Sequence, residues 1–378
     1  MKIVIAPDSY KETLSAKEVA NTIEEGFKKV FKNTEFIKIP LADGGEGTVR
    51  ALVDATSGSI KKVCVKDPLQ RDIKAYYGVL GDNKTAVIEM ATASGLELLR
   101  EDEKNPLETT TYGFGQLIKD AYEKGLRSFI LGLGGSATND CGIGMLQALG
   151  VKFYDNNKKE LPIVAAKYIE KIDSFDISSL EKYKDINIEV ACDVKNPLCG
   201  INGASFVFGK QKGADEKTIK VLDKSLEKFA NLCEKSFNKK TKNIEGCGAA
   251  GGVGFALITF INAILKSGID IVIQKVDLEK HIKDASLVIT GEGKIDSQTI
   301  QGKTPIGVAK LAKKYDKQVI VIAGCTSNDY ELVYDHGIDA VFDVTPISMP
   351  FETIKKDAKK NLELSAYNIA KVLSMKLN

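Results

Sequence analysis

Short, wholly apolar runs alternate with amphipathic stretches at both ends of the chain. Ile3–Ala6 has the length and composition of a buried strand. Ser15 followed by Glu18 forms a capping-box pattern that starts a helix. Val19, Ile23, Phe27 and Val30 then recur at helical spacing and give that helix one apolar face. A second strand, Phe36–Leu41, runs into the polar turn 42–48, and another helix departs from Thr48. This β-α-β-α order predicts parallel strands joined by crossover helices. The same pattern returns near the C-terminus, with strands at 286–290, 318–323 and 340–344. Thr304 and Pro305 are placed as N-cap and first residue of a helix, and an amphipathic helix covers 351–373. Five short strands, two from one end and three from the other, predict a single doubly wound sheet interrupted by a long insertion.

The insertion reads differently. Val63–Val65, Ala75–Val79 and Ala86–Met90 are extended segments expected to pair in antiparallel or mixed fashion. Phe129–Leu131 is a strand that enters a glycine- and hydroxyl-rich loop, with a helix from about Gly144. Residues 151–189 are rich in Lys, Asp and Asn and predict a surface excursion. Asp215–Phe237 reads as a long charged helix. Gly246–Leu265 carries no charge and is just long enough to span a bilayer. Its glycine-alanine front half, without a close positive flank, favours a buried helix instead. These patterns place a discontinuous α/β domain at 1–60 and 284–378, and an inserted α/β domain with a mixed sheet at 61–283.

Composition narrows the chemistry. With 53 basic and 51 acidic residues among 378, the net charge is only +2, which argues against a nucleic-acid partner. Seven widely spaced cysteines without a CxxC pair, and only two histidines, disfavour a zinc site, a disulfide framework and a histidine-based triad. The N-terminal apolar run is too short for a signal peptide, so a soluble, cytoplasmic protein without a membrane partner is expected. A homo-oligomer remains open.

In an open parallel sheet, ligands bind beyond the carboxyl ends of the strands. That rule gathers Asp8, Ser9, Tyr10 and Lys11 after the first strand, Asp43 to Thr48 after the second, and Gly291 to Asp296 after the strand at 286–290. A lone aspartate near a helix start is more often a cap. Carboxylates at three strand ends argue for chemistry. Gly132, Gly134, Gly135, Ser136, Thr138, Asn139 and Asp140 form a loop that suits a phosphate or anionic substrate, because glycines admit close approach and hydroxyls supply donors. Residues 191–214 bring Asp193, Lys195 and Asn196 to another strand end, and the Gln211-Lys212-Gly213 turn suggests a loop that folds over an anion. Ser297–Thr304 nearly matches a P-loop, but Ser297 replaces the first glycine and the segment lies too far from its strand. Glycine cradles, well-placed aspartates and loop lysines together point to phosphoryl transfer.

Seven segments, 6–16, 40–48, 132–150, 191–198, 209–214, 246–254 and 289–309, resemble the bacterial type I glycerate kinases in the same order along essentially the whole chain. The resemblance implies a flavodoxin-like domain interrupted by a second α/β domain, with the active site in the cleft between them. It implies ATP- and Mg²⁺-dependent phosphorylation of D-glycerate, usually to 2-phosphoglycerate, with the 3-phosphate as the other product. On this basis Asp193 is the expected base and Asp43 and Asp296 the expected Mg²⁺ ligands. Asp8, Ser9, Lys11, Ser136, Asn139 and Asp140 are expected to meet substrate. Gly134, Gly135, Ser136, Thr138 and Lys294 are expected to hold the nucleotide phosphates, and Lys11 and Asp43 to share in catalysis. Glu12-Thr13 stands where Gly-Ser is common, Cys141 where Gly is common, Lys210 where Pro is usual and Lys294 where Arg is frequent. The alternatives are a kinase of another small hydroxy acid and a non-catalytic regulator that binds a small anion.

Overall fold

The computed structural model describes residues 1–163, 165–345 and 351–375. The chain forms two compact units. One comprises Met1–Asp43, Arg50–Ser57 and Ser267–Asn378, and the other Gly44–Val49 and Gly58–Lys266.

The first unit is built on a five-stranded, wholly parallel sheet in the spatial order Ala340–Asp343, Val319–Ala323, Leu287–Thr290, Lys2–Ile5, Glu35–Lys38. In chain order this is 2-1-3-4-5, the flavodoxin-like arrangement, with its switch point between the first strand and Leu287–Thr290. The three central strands, buried along most of their length, read as continuous apolar runs, whereas the edge strands Glu35–Lys38 and Ala340–Asp343 are partly exposed. The helix Ala16–Lys28 begins with both arms of the Ser15–Glu18 capping box formed. It packs on Phe351–Leu373, and Gly26 permits the approach: a Cβ there would sit 2.7 Å from the Ala366 Cβ. The helix Thr304–Lys313 starts one residue earlier than the sequence suggests, with Lys303 as its cap. The reason is that the Thr304 hydroxyl donates to Asp8 instead of capping the helix. Helices Gly268–Lys275 and Leu278–Lys283 also belong to this unit, because Ile269, Ile271, Val272, Leu278 and Ile282 bury their side chains and Gly307 leaves room for Ile269.

The second unit holds a mixed six-stranded sheet, ordered Ile264–Lys266, Asn187–Ala191, Ser128–Gly132, Thr85–Glu89, Asp72–Val79, Ser59–Lys66. The pairings of Ser59–Lys66 with Asp72–Val79, and of Asp72–Val79 with Thr85–Glu89, are antiparallel and the others parallel. Two local expectations change. The run 246–265 is not one helix: Ala249–Ile261 ends at Asn262, whose left-handed backbone turns the chain into the strand Ile264–Lys266. Residues 151–189 are not a surface excursion either. Lys152–Tyr154 pairs with Ser174–Asp176, and Phe153, Ile169, Ile172, Leu180 and Tyr183 anchor the segment in the core. Its polar residues merely outnumber these anchors. Among the described residues no helix is long and apolar enough to cross a membrane.

Candidate functional site

In the first unit, the loops after Lys2–Ile5 and Leu287–Thr290 meet at the sheet's switch point. Gly293 lies against the backbone of Tyr10 and Lys11, and the Asp8 N–H donates to the Gly291 carbonyl at 2.8 Å. Asp8 is half-buried and accepts from the Thr304 hydroxyl at 2.6 Å and from the Ser9 N–H at 2.6 Å. Burial, reinforced by the charge of Asp43, pushes its carboxyl up to about 6. Glu292, 8% exposed, accepts from the Thr299 hydroxyl and lies 3.9 Å from the Lys303 ammonium. Burial raises it to about 7, despite those partners. Asp296 is flanked by Lys294 at 3.3 Å and Lys303 at 3.9 Å. The structure thus gathers Asp8, Asp43 and Glu292 within mutual electrostatic reach, with Lys303 beside Glu292, while Lys11 and Lys294 remain exposed.

The P-loop lookalike finds a different use here. Thr304 serves Asp8, and Lys303 serves Glu292 and Asp296. Glu292 was part of a strand-end loop noted in the sequence, but its burial has no sequence signal. It comes from the cover given by Thr299 and its neighbours.

In the second unit, the strand Ser128–Gly132 delivers the loop 133–142. Gly132 has no room for a side chain, since a Cβ would meet the Gly44 carbonyl at 2.9 Å. Ser136 is almost buried, and Thr138, Asn139 and Asp140 are completely so, while Gly134 and Gly135 remain exposed. Asp140 organises the loop from beneath. Its Oδ2 accepts from the Thr111 N–H (2.7 Å), the Thr111 hydroxyl (2.8 Å), the Gly144 N–H (3.2 Å) and the Thr110 hydroxyl (3.4 Å); its Oδ1 accepts from the Gly142 N–H (3.0 Å). Burial raises the Asp140 carboxyl above its ordinary range, against these donors. The Asn139 amide donates to the Ser205 hydroxyl at 3.0 Å. Gly251, at φ +66°, lies so close that a Cβ would stand 2.1 Å from the Thr138 carbonyl. The loop is therefore preformed by contacts from several elements, and among the described residues the Thr138 hydroxyl and the Asn139 Oδ1 have no hydrogen-bond partner.

Asp193, exposed after the strand Asn187–Ala191, also belongs to the second unit. Asp8, Ser9, Lys11, Asp43, Lys294 and Asp296 belong to the first unit, and Gly134, Gly135, Ser136, Thr138, Asn139, Asp140 and Asp193 to the second. The departures at 12 and 141 acquire a physical meaning. Glu12 and Cys141 adopt φ of 63° and 56°, the left-handed region that favours glycine. Cys141 is fully buried and its thiol is raised well above its usual range by burial, so it is an inert packing group. All seven cysteines are free. Among the described residues, no group of three or more His, Cys, Asp or Glu side chains is arranged to hold a metal by itself.

A family model described as the glycerate kinase family matches residues 3–374. A glycerate kinase of Bacillus subtilis is 52% identical, over 98% of this chain and 97% of its own length. A glycerate 2-kinase of Escherichia coli is 50% identical, over 99% of this chain and 98% of its own. A solved chain from Salmonella typhimurium LT2, a candidate glycerate kinase 2, matches with TM-score 0.91 and 49% identity, covering 99% of this chain and 98% of that one.

Proposed function

Given that the chain belongs to the glycerate kinase family, we propose that it transfers the γ-phosphoryl group of ATP to the 2-hydroxyl of D-glycerate. It is a phosphotransferase with an alcohol as acceptor, and glycerate and ATP are its substrates. The 2-phosphate assignment is supported by the relative of equal length named glycerate 2-kinase. The observation that carries a role for the loop 132–140 is its preformed architecture, with exposed Gly134 and Gly135 next to a Ser136 hydroxyl and an Asn139 amide that are both held by hydrogen bonds. Such a loop requires no reorganisation when an oxyanion enters, which is what stabilising charge in transfer chemistry needs.

In this reading, Gly134, Gly135, Ser136 and Thr138 cradle phosphate oxygens, with Lys294 as an added cation. Lys11, Ser9, Asp8, Ser136, Asn139 and Asp140 are the glycerate set, in which the buried Asp140, with both oxygens engaged, acts by maintaining the loop that presents Ser136 and Asn139. Asp193 takes the proton of the acceptor hydroxyl as it attacks phosphorus. Asp43 and Asp296 would hold Mg²⁺, with Asp43 shared in catalysis. The donor set suits that ion: Mg²⁺ commonly takes one or two carboxylates and completes its shell with water and substrate phosphate. The charge of Asp43 raises Asp8, a repulsion that a cation beside Asp43 would relieve. The bound ion would neutralise charge on the β- and γ-phosphates.

The test is ³¹P NMR of purified protein with Mg²⁺, ATP and D-glycerate, beside a control without glycerate. A 2-phosphoglycerate resonance is expected. A 3-phosphoglycerate resonance would overturn the regiochemistry alone, and absence of any phosphorylated acid would overturn the substrate.

A further inference from the structure

Lys212 is an anomaly that the phosphotransfer reading leaves unused. It is 2% exposed, yet it is a lysine, and among the described residues no carboxylate lies within ion-pair distance of its Nζ. Its side chain reaches from the turn Lys210–Lys212 to the hydroxyl loop, where Nζ donates to the Ser136 hydroxyl at 2.9 Å and to the Thr138 carbonyl at 2.7 Å. The turn itself is fixed. Gly213 has φ +93° and fits against Lys104, whose carbonyl would stand 2.1 Å from an added Cβ.

An isolated buried ammonium is costly unless a counter-charge arrives. The charged group whose field reaches Lys212 is Asp140, and both Asp140 oxygens are engaged by the Thr110–Thr111 and Gly142–Gly144 donors. Burial accordingly lowers the amine to about 7, with Asp140 pulling the other way. A protonated amine has three donors, and protein acceptors take two of them. When Nζ donates to the Ser136 oxygen, the Ser136 hydrogen must point elsewhere, and an oxyanion above the loop is the acceptor that suits it. The Thr138 hydroxyl, buried and without a hydrogen-bond partner among the described residues, is a further donor on the same loop.

We propose that Lys212 is the positioning cation of the hydroxyl loop: through Ser136 and the Thr138 carbonyl it readies the loop for a substrate oxyanion, whose arrival completes its charge balance. This rests on the assignment of the loop 132–140 to anionic substrate. The oxyanion is the glycerate carboxylate or the terminal phosphate of the nucleotide. In either case binding draws a proton onto Lys212 from solvent, because the incoming negative charge favours the ammonium form.

Calorimetric titration of the intact protein in buffers of different ionisation enthalpy tests this, with D-glycerate and with Mg-AMP-PNP as separate ligands. Proton uptake near zero at pH 6, about one half at pH 7 and most of a proton at pH 8 is expected for the ligand that faces Lys212. Because the raised Asp8 and Glu292 carboxyls also titrate in this range, the component of uptake lost in Lys212→Met is the readout: its loss with D-glycerate places the carboxylate at Lys212, and its loss with Mg-AMP-PNP places the phosphate there. Lys212→Met should lower the uptake at pH 8 by most of a proton and raise the corresponding KM at least tenfold, with a smaller change in kcat. Lys212→Arg, permanently charged, should bind without that component of uptake and should partly restore KM. Uptake with neither ligand, or uptake that is undiminished in Lys212→Met, overturns the proposal. Ser136→Ala separates the two levels. If it leaves binding of both ligands unchanged, the parent assignment of the loop falls and the proposal with it. If it weakens binding while both Lys212 variants behave as wild type, only the proposal falls.

Discussion

Replacing Asp140 by Asn changes one atom at the most heavily bonded point of the hydroxyl loop. The side chain joins the N–H of Thr111, where the helix Tyr112–Glu123 begins, to the Gly142 and Gly144 N–H groups at the start of Ile143–Ala148. In its better orientation, an asparagine oxygen replaces Oδ2 and keeps the Thr111 and Gly144 donors. Its amide nitrogen then faces the Gly142 N–H, so that buried donor loses its acceptor. An unsatisfied buried donor costs roughly 1–3 kcal/mol, while the weakening of the remaining bonds from charge-assisted to neutral is offset by relief of the burial cost that raises the Asp140 carboxyl. A total loss of about 1–3 kcal/mol corresponds to roughly 2–12 °C in Tm for a unit of this size. Urea unfolding followed by far-UV circular dichroism, at neutral pH, measures it as a fall in midpoint with unchanged slope. Thr111→Val removes the hydroxyl that donates to Asp140 and accepts from the Met145 N–H. The two substitutions share a network, so their effects in the double variant should be less than additive. An Asp140→Asn protein within about 0.5 kcal/mol of wild type would refute the reasoning, because the acceptor would then be dispensable.

Asp193→Asn should reduce kcat by a factor of about 10² or more while leaving nucleotide affinity nearly unchanged; near-normal turnover removes Asp193 from the role of base. Glu292 stays protonated in the fold up to about 7 but ionises near 4.5 when unfolded, so its contribution is greatest below 4.5 and declines as pH rises to about 7. Glu292→Gln should therefore gain stability relative to wild type across that interval, by up to about 3 kcal/mol, and thermal melts at pH 5 and pH 8 that show a constant difference would contradict this. Glu12→Gly should raise stability by about 0.5–1 kcal/mol, since Glu12 is exposed and held at φ 63°; an unchanged or lower Tm would show that the left-handed strain is offset locally.

The local periodicities by themselves determined the parallel sheet of the first unit, its capped helix at Ala16 and the strand-loop-helix around Ser136. Each depends on residues near one another in sequence: apolar runs for strands buried on both faces, the Ser15–Glu18 box, and a glycine-hydroxyl loop after a strand. The motifs also carried the family, because its blocks span the whole chain. Burial was decided only by tertiary structure. Nothing local distinguishes Lys212 from the exposed lysines around it, or Glu292 from the half-buried Asp296; each is set apart by side chains that fold over it from distant segments. The core anchors of 151–189 were masked in the same way by polar neighbours, and Asn262 ended a helix that hydrophobicity alone would have continued. Desolvation and hydrogen-bond partnership depend on three-dimensional surroundings, so the chemistry of Asp8, Asp140, Lys212 and Glu292 became visible only once those surroundings were in place.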